Sequence, residues 1–404
     1  MNTTADRSRG WLSHLLRLGI AAMLMLVAAI GAAWIQARPA NPGAFYARAY
    51  PAGAAAGTLV AQEPFTRTVP VGARGWRYLY TTTRGGQHVV ASAIALVPEQ
   101  AGSKRHIVAW AHGTTGIAAG CAPSVMAKPF DNVPDVGAIT RAGWAYVGAD
   151  YPGLGTSGGH SYLVGADAAH AILDAVRAAR QLQDAGLSDR VVVWGHSQGG
   201  HSALWSGMRS ADIAPELRLA GVATFAPASD LKALVAAMQS GVFGKIVTSY
   251  LITAYAAAYP DVEIKTYVGA SARPIVSDIA SRCLENFQTV FSAMETKLLP
   301  RGGIFLQEPT AGPLGRRLEQ NAPAGAIEAP VLIAQGEADT VVLPEIQKRY
   351  VAERCAAGQA IDFRTYPGLD HLSLVAPASP LVADLVAWTR DRFEDKPAKS
   401  TCAR

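Results

Sequence analysis

From Trp76 onward the chain alternates two hydrophobic patterns. Short apolar, β-favouring runs occur at Trp76–Tyr80, Val89–Val97, Ile107–Ala111, Ala145–Gly148, Val191–Trp194, Leu219–Phe225, Val331–Ala334 and Ile361–Tyr366, which predicts a sheet of about eight strands. Several, Val191-Val192-Val193-Trp194 above all, carry no polar position, as strands covered on both faces require. Between them, Ala169, Ile172, Val176 and Ala179 recur at helical spacing while Asp167, His170, Asp174 and Arg177 fall off that stripe, which predicts an amphipathic helix over Val164–Leu182. A second helix is expected just after Ser197 and a last one from about Leu381 to Phe393. Such alternation builds an α/β fold, a mostly parallel sheet with helices on both faces.

The rhythm breaks once. Residues 228–330 supply helical patterns and loops but no convincing strand, and read as a helical cap inserted between a first core segment, 75–227, and a second, 331–404. Within it Tyr250, Leu251, Ile252 and Tyr255 either line an apolar pocket or form the cap's own core. Residues 38–74, rich in Ala, Gly and Pro, are expected to be an extended lead-in.

Residues 1–37 are different. Leu18 to Ile35 is free of charge and follows Arg7, Arg9 and Arg17, the pattern of a signal peptide, with Ile35-Gln36-Ala37 as an imperfect cleavage site. An uncleaved membrane anchor fits the same residues. Both readings export the body, as a secreted or periplasmic protein or one held at the membrane. Half the residues are hydrophobic and mean hydropathy is +0.15, ample for a buried core. The net charge of +5 is small and scattered, which argues against a nucleic-acid partner. Export also bears on Cys121, Cys283, Cys355 and Cys402: an even number in an oxidising compartment favours two disulfides over four thiols. None shows metal-ligand spacing, and no metal site is expected.

The pattern G-x-S-x-G occurs twice, at Gly155–Gly159 around Ser157 and at Gly195–Gly199 around Ser197. The chemistry needs a serine on a sharp strand-to-helix turn. Only Ser197 has that context, with Val191–Trp194 before it and a helix-compatible segment from His201 behind it. The first copy lies in a loop that also spells G-x-G-x-x-G, Gly153 to Gly158, but Gly159-His160-Ser161-Tyr162 separate it from any helix, against a dinucleotide site. A serine hydroxyl needs a base to take its proton and a carboxylate to orient that base. With the elbow serine first, acid and then histidine follow in sequence. Of nine histidines only His201 and His371 come after Ser197, and no acid precedes His201 in that order, so His371 is the candidate base. Asp339, one loop-turn past the strand Val331–Ala334, is the preferred acid, with Glu337 its rival and Asp370 too near His371 to orient it easily. The attacked carbonyl would need N–H donors, each worth roughly 3 kcal/mol of barrier. Gln198, next after the nucleophile, and Thr114, in the loop after Ile107–Ala111, are the candidates.

Gly195-His196-Ser197-Gln198-Gly199, Asp339 and His371 in this order resemble the α/β-hydrolase fold from Trp76 to the C-terminus. More narrowly, His112-Gly113-Thr114-Thr115-Gly116 with Cys121-Ala122-Pro123-Ser124, Asp150–Gly155 and Ser161–Gly165 resembles the secretory lipase family. The resemblance implies a serine esterase or lipase with a helical cap and an acyl pocket, working without metal or organic cofactor on a small-molecule ester or lipid. It implies contact of the cap with a lipid interface, and bridges pairing Cys121 with Cys283 and Cys355 with Cys402. A peptidase or amidase on the same fold, and a non-catalytic binding protein, are the rival functions.

Overall fold

The computed structural model describes residues 4–51, 53–100, 102 and 104–402; the first three residues of the leader and the last two of the chain lie outside the described residues. Nine strands form one sheet: β1 (Leu59–Phe65), β2 (Ala73–Arg84), β3 (Gln87–Pro98), β4 (Arg105–Ala111), β5 (Ala145–Ala149), β6 (Leu187–His196), β7 (Arg218–Phe225), β8 (Val331–Gly336) and β9 (Ile361–Tyr366). Their order is β1-β2-β3-β5-β4-β6-β7-β8-β9. The first three strands are antiparallel and β3 pairs antiparallel with β5; from β5 to β9 all pairings are parallel.

Helices α1 (Thr4–Gln36), α2 (Val136–Arg141), α3 (Gly165–Ala179) and α4 (Gln198–Ile213) precede the segment between β7 and β8. That segment carries α5 (Leu231–Ala237), α6 (Val242–Ala258), α7 (Ile264–Tyr267), α8 (Arg273–Ala280), α9 (Asn286–Glu295) and α10 (Gly312–Gln320). Helices α11 (Pro344–Ala356) and α12 (Pro380–Phe393) follow it. The apolar stripe of α3 packs on α4 and on β2, and α12 lies against β6 and β7. The all-apolar centre of β6 is thereby covered on both faces, Val191 to Trp194 being fully buried.

The sheet has one strand more than the apolar runs predict. β1 lies in the stretch expected to be an extended lead-in, where its mixed residues are only half-buried at the sheet's edge. β2 and β3 also run past their expected ends: Thr82, beyond the expected end of β2, is buried and paired, and the polar positions inside both runs are paired too. Thr82 Oγ1 donates to Asp174 Oδ2 at 2.9 Å, Ser92 Oγ to Asp150 Oδ2 at 2.6 Å, and Tyr78 and Tyr80 donate to α3 carbonyls at 2.8 Å. Tyr250, Leu251, Ile252 and Tyr255 are all buried within the α5–α10 segment, packed as core.

Disulfides join Cys121 to Cys283 and Cys355 to Cys402. The first spans 162 residues and ties the loop after β4 to the end of α8. Opening it frees a long loop in the unfolded chain, an effect of about 5 kcal/mol in the chain-entropy picture. We expect Cys121→Ser with Cys283→Ser to lower the midpoint of denaturant unfolding more than Cys355→Ser with Cys402→Ser, whose 47-residue separation makes its effect about 1 kcal/mol smaller on the same scale. Equal midpoints for wild type and the first double variant would remove this role.

Asp150, just past β5, is wholly buried, accepting hydrogen bonds from the Ser92 and Ser124 hydroxyls and from Ser124 N–H. Burial pushes its pKa from 3.8 up to about 6. The folded state therefore holds this proton more tightly than the unfolded chain. Its contribution to stability is complete below pH 3.8 and is lost as pH rises through about 6, a swing of about 3 kcal/mol. Asp150→Asn should flatten that part of the stability profile between pH 4 and pH 8, measured by urea unfolding; an unchanged profile would exclude Asp150 as its source.

Candidate active site

β6 runs straight into Ser197, which caps α4 at φ 57° and ψ −117°, a backbone region L residues rarely hold. The turn is over-determined. Ser197 N–H donates to Phe225 O at 2.9 Å, while Ser197 O accepts from Ala228 N–H and His201 N–H, each at 3.1 Å. Glycines make room for it: a Cβ on Gly199 would overlap the Ala111 carbonyl, and one on Gly195 the Gly199 carbonyl. The side chain makes no cap hydrogen bond, so the hydroxyl is left for other work.

His371 stands on the loop after β9, and its Nδ1–H donates to Asp339 Oδ2 at 2.8 Å. Asp339 follows β8, and its remaining acceptor sites are filled. Oδ1 accepts the N–H groups of Val341 and Val342 at 2.8 and 2.9 Å, and Oδ2 also accepts Gln335 Nε2 at 3.1 Å. A carboxylate held in place by these donors fixes the tautomer and orientation of the imidazole. The rivals are elsewhere: Glu337 is exposed, and Asp370 turns to the Ser373 hydroxyl and the N–H groups of Leu372 and Ser373. Ser157 lies in an exposed part of its loop.

His196, which sequence reasoning passed over as the variable position before the serine, joins the two halves. Its Nε2–H donates to His371 O at 2.9 Å and its ring sits 4.6 Å from that of His371. Burial, with the neighbouring His371 adding to it, holds His196 well below the usual histidine range, so it is a neutral donor. Ser197 Oγ and His371 Nε2 are not hydrogen-bonded to each other here, and among the described residues neither has another hydrogen-bond partner. Hydrogen bonds of this kind often tighten only when substrate is bound.

The loop His112–Gly116 leaves β4 beside the elbow, and a Cβ on Gly113 would come within 3.9 Å of Ser197 Cβ. Thr114 Oγ1 hydrogen-bonds Tyr162 OH at 2.7 Å, and Tyr162 packs edge-on to Tyr250 of α6. Thr115 O accepts Leu284 N–H at 2.8 Å, and Gly116 pairs with Cys283 as an isolated β-bridge. Gln198 heads α4, where backbone N–H groups have no helical partner, and its side-chain N–H donates to His160 Nε2 at 3.0 Å. Burial lowers His160 to about 3 and His112 and His201 to about 4, so all three are neutral at ordinary pH. Among the described residues no group of three or more His, Cys, Asp or Glu has the arrangement of a metal site.

The hydrogen-bonded His371–Asp339 pair, the strained Ser197 turn and the His112–Gly116 loop thus lie at the same edge of the sheet. Residues 134–401 match the family model described as secretory lipase. Lipase A of Moesziomyces aphidis is 25% identical over 327 residues, covering 74% of this chain and 69% of that protein. A secreted triacylglycerol lipase of Malassezia globosa is 25% identical over 345 residues, covering 81% and 75%. The closed state of Candida antarctica lipase A superimposes with a TM-score of 0.73 at 22% identity, covering 90% of this chain and 89% of that one, which establishes the α/β-hydrolase fold.

The crowding at the elbow generates a test. Gly199→Ala forces a methyl into the Ala111 carbonyl, so we expect a loss of roughly 3 kcal/mol of stability and of most activity. Gly302→Ala, where nothing lies within 4 Å, should be neutral. Equal thermal midpoints for the two variants would refute the crowding.

Proposed function

We propose, since the chain belongs to the secretory lipase family, that it cleaves carboxylic esters through Ser197, His371 and Asp339, passing through an acyl-enzyme. Ester hydrolysis by an exported protein is what the family and its lipase relatives support. His371 Nε2 takes the Ser197 proton as Oγ attacks the ester carbonyl, and the developing imidazolium is stabilised by Asp339. The oxyanion is held by the backbone N–H groups of Gln198 and Thr114. His371 then protonates the departing alcohol, and water activated by the same imidazole releases the acid. Substrates of the acylglycerol type fit the names its relatives carry, with residues 228–330 acting as a cap over the carboxyl edge of the sheet and residues 1–37 directing export.

The observation that carries this reading is the 2.8 Å hydrogen bond from His371 Nδ1 to a donor-saturated Asp339, beside a serine held in a strained turn. A structural histidine would not require the neighbouring serine at φ 57°. Aryl esters of graded acyl length, monomeric and micellar, with matched amides, separate esterase from amidase. Ser197→Ala should lose at least about a thousandfold in turnover. Equal rates for the variant and the wild type would discard the assignment, and so would failure of a fluorophosphonate to label Ser197.

A further inference from the structure

Helix α9 is built inside out. The residues it buries are Gln288 and Ser292, with Gln288 Oε1 accepting Cys283 N–H at 2.9 Å. Beyond Asn286 at its start, its exposed residues are apolar: Phe287, Val290 and Met294 are 76%, 52% and 53% exposed, and Leu298, in the turn that follows, is 72% exposed. At these spacings the four form one stripe. A helix in water normally presents the opposite faces, and a continuous apolar stripe on the surface marks something that covers it.

Helix α1 indicates what the cover is. His14–Gln36 is apolar, with a mean hydropathy of 2.3, and none of it is buried. Its 23 residues reach about 35 Å, enough to cross a hydrocarbon core of about 30 Å. Arg7, Arg9 and Arg17 precede its apolar part, so the positive-inside rule leaves the body on the exported side. The far end of α1 and the residue Arg38 beyond it are stitched to the ends of α8 and α9. Trp34 Nε1 donates to Glu295 Oε1 at 3.4 Å, and Arg38 donates to Asp278 Oδ1 at 2.7 Å and to Ser281 Oγ at 2.6 Å. The guanidinium groups of Arg38 and Arg282 lie 4.1 and 5.4 Å from the Trp34 ring. Glu295 follows Met294 directly, so the apolar helix leaves the body beside the apolar stripe.

We propose that α1 remains attached as a bilayer anchor and that the outward stripe of α9, Phe287, Val290, Met294 and Leu298, rests in the interface of the same bilayer. Cys283, three residues before α9, is bridged to Cys121 and paired with Gly116, so this seating holds the oxyanion-loop side of the site close to the lipid surface. The enzyme then draws esters from the membrane that carries it. Only this last step rests on the esterase reading; the docking does not.

The test uses the full chain in phosphatidylcholine nanodiscs. The emission that Phe287→Trp adds to that of the native tryptophans should be quenched by acyl-brominated phosphatidylcholine, and the emission that Val71→Trp adds, on a fully exposed turn, should not. Absence of quenching at position 287 overturns the docking, and so does a stripe covered instead by a second copy, read as a cross-linked dimer with no lipid quenching. Protein recovered from its cell with a mature N-terminus after Ala37 overturns the anchor. The triple variant Phe287→Ser, Met294→Ser, Leu298→Ser should cut hydrolysis of a vesicle-borne ester by about tenfold while leaving a dissolved monomeric aryl ester unaffected. If the wild type hydrolyses neither ester, the esterase reading fails and the quenching alone decides the docking.

Discussion

A residue with a Cβ held at φ 57° and ψ −117° costs of order 1–3 kcal/mol, and Ser197 keeps that conformation only because its surroundings leave it no other. Its N–H and C=O are tied to Phe225, Ala228 and His201, and the glycines beside it let α4 approach β4 and β6 so closely that no side chain would fit. The constraint extends outward. The register that sets Ala111 beside Gly195, and Gly195 beside Thr224, belongs to the parallel centre of the sheet, whose strands are buried on both faces. The core therefore does more than stabilise the fold: it fixes the direction in which one hydroxyl points.

The imidazoles around that hydroxyl are sorted by electrostatics. His112, His160, His196 and His201 are buried without a carboxylate partner, and desolvation keeps each neutral. Their neutrality lets them work as uncharged hydrogen-bonding groups, as His196 does in steadying the His371 carbonyl. His371 differs in having Asp339 at hydrogen-bond distance, and Asp339 differs from the exposed Glu337 and Asp370 in being buried, with Gln335, Val341 and Val342 donating to it. In the proposed mechanism, a proton taken up by that imidazole meets a carboxylate that is already oriented and does not have to move.

The helical segment between β7 and β8 reaches the site through covalent and packed links. Cys283 is bridged to Cys121, Gly116 pairs with Cys283, and Tyr250 packs on Tyr162, which holds Thr114. The loop that carries Thr114 is thus braced by the helices above it as well as by the strand below. Because α9 begins just after Cys283, anything that seats α9 acts close to the same loop.

Much of the fold and the candidate site was legible in the chain. Consecutive apolar residues can be satisfied only by burial on both faces, so Val191–Trp194 announced a central strand, and covalent order alone pointed to His371 and Asp339 as the partners available to Ser197. These are properties of local periodicity and of sequence order, which every chain carries before it folds. Partnerships between distant residues are not. β1 forms by pairing along β2 at the sheet's edge, and the extension of β2 past Tyr80 includes Thr82, which finds a buried acceptor in Asp174. The donor from His196 to the His371 carbonyl crosses 175 positions, and the inverted faces of α9 exist only relative to what packs beneath it. Tertiary structure decided these, because the free energy of a polar group or an apolar face depends on its neighbour, and only folding supplies that neighbour.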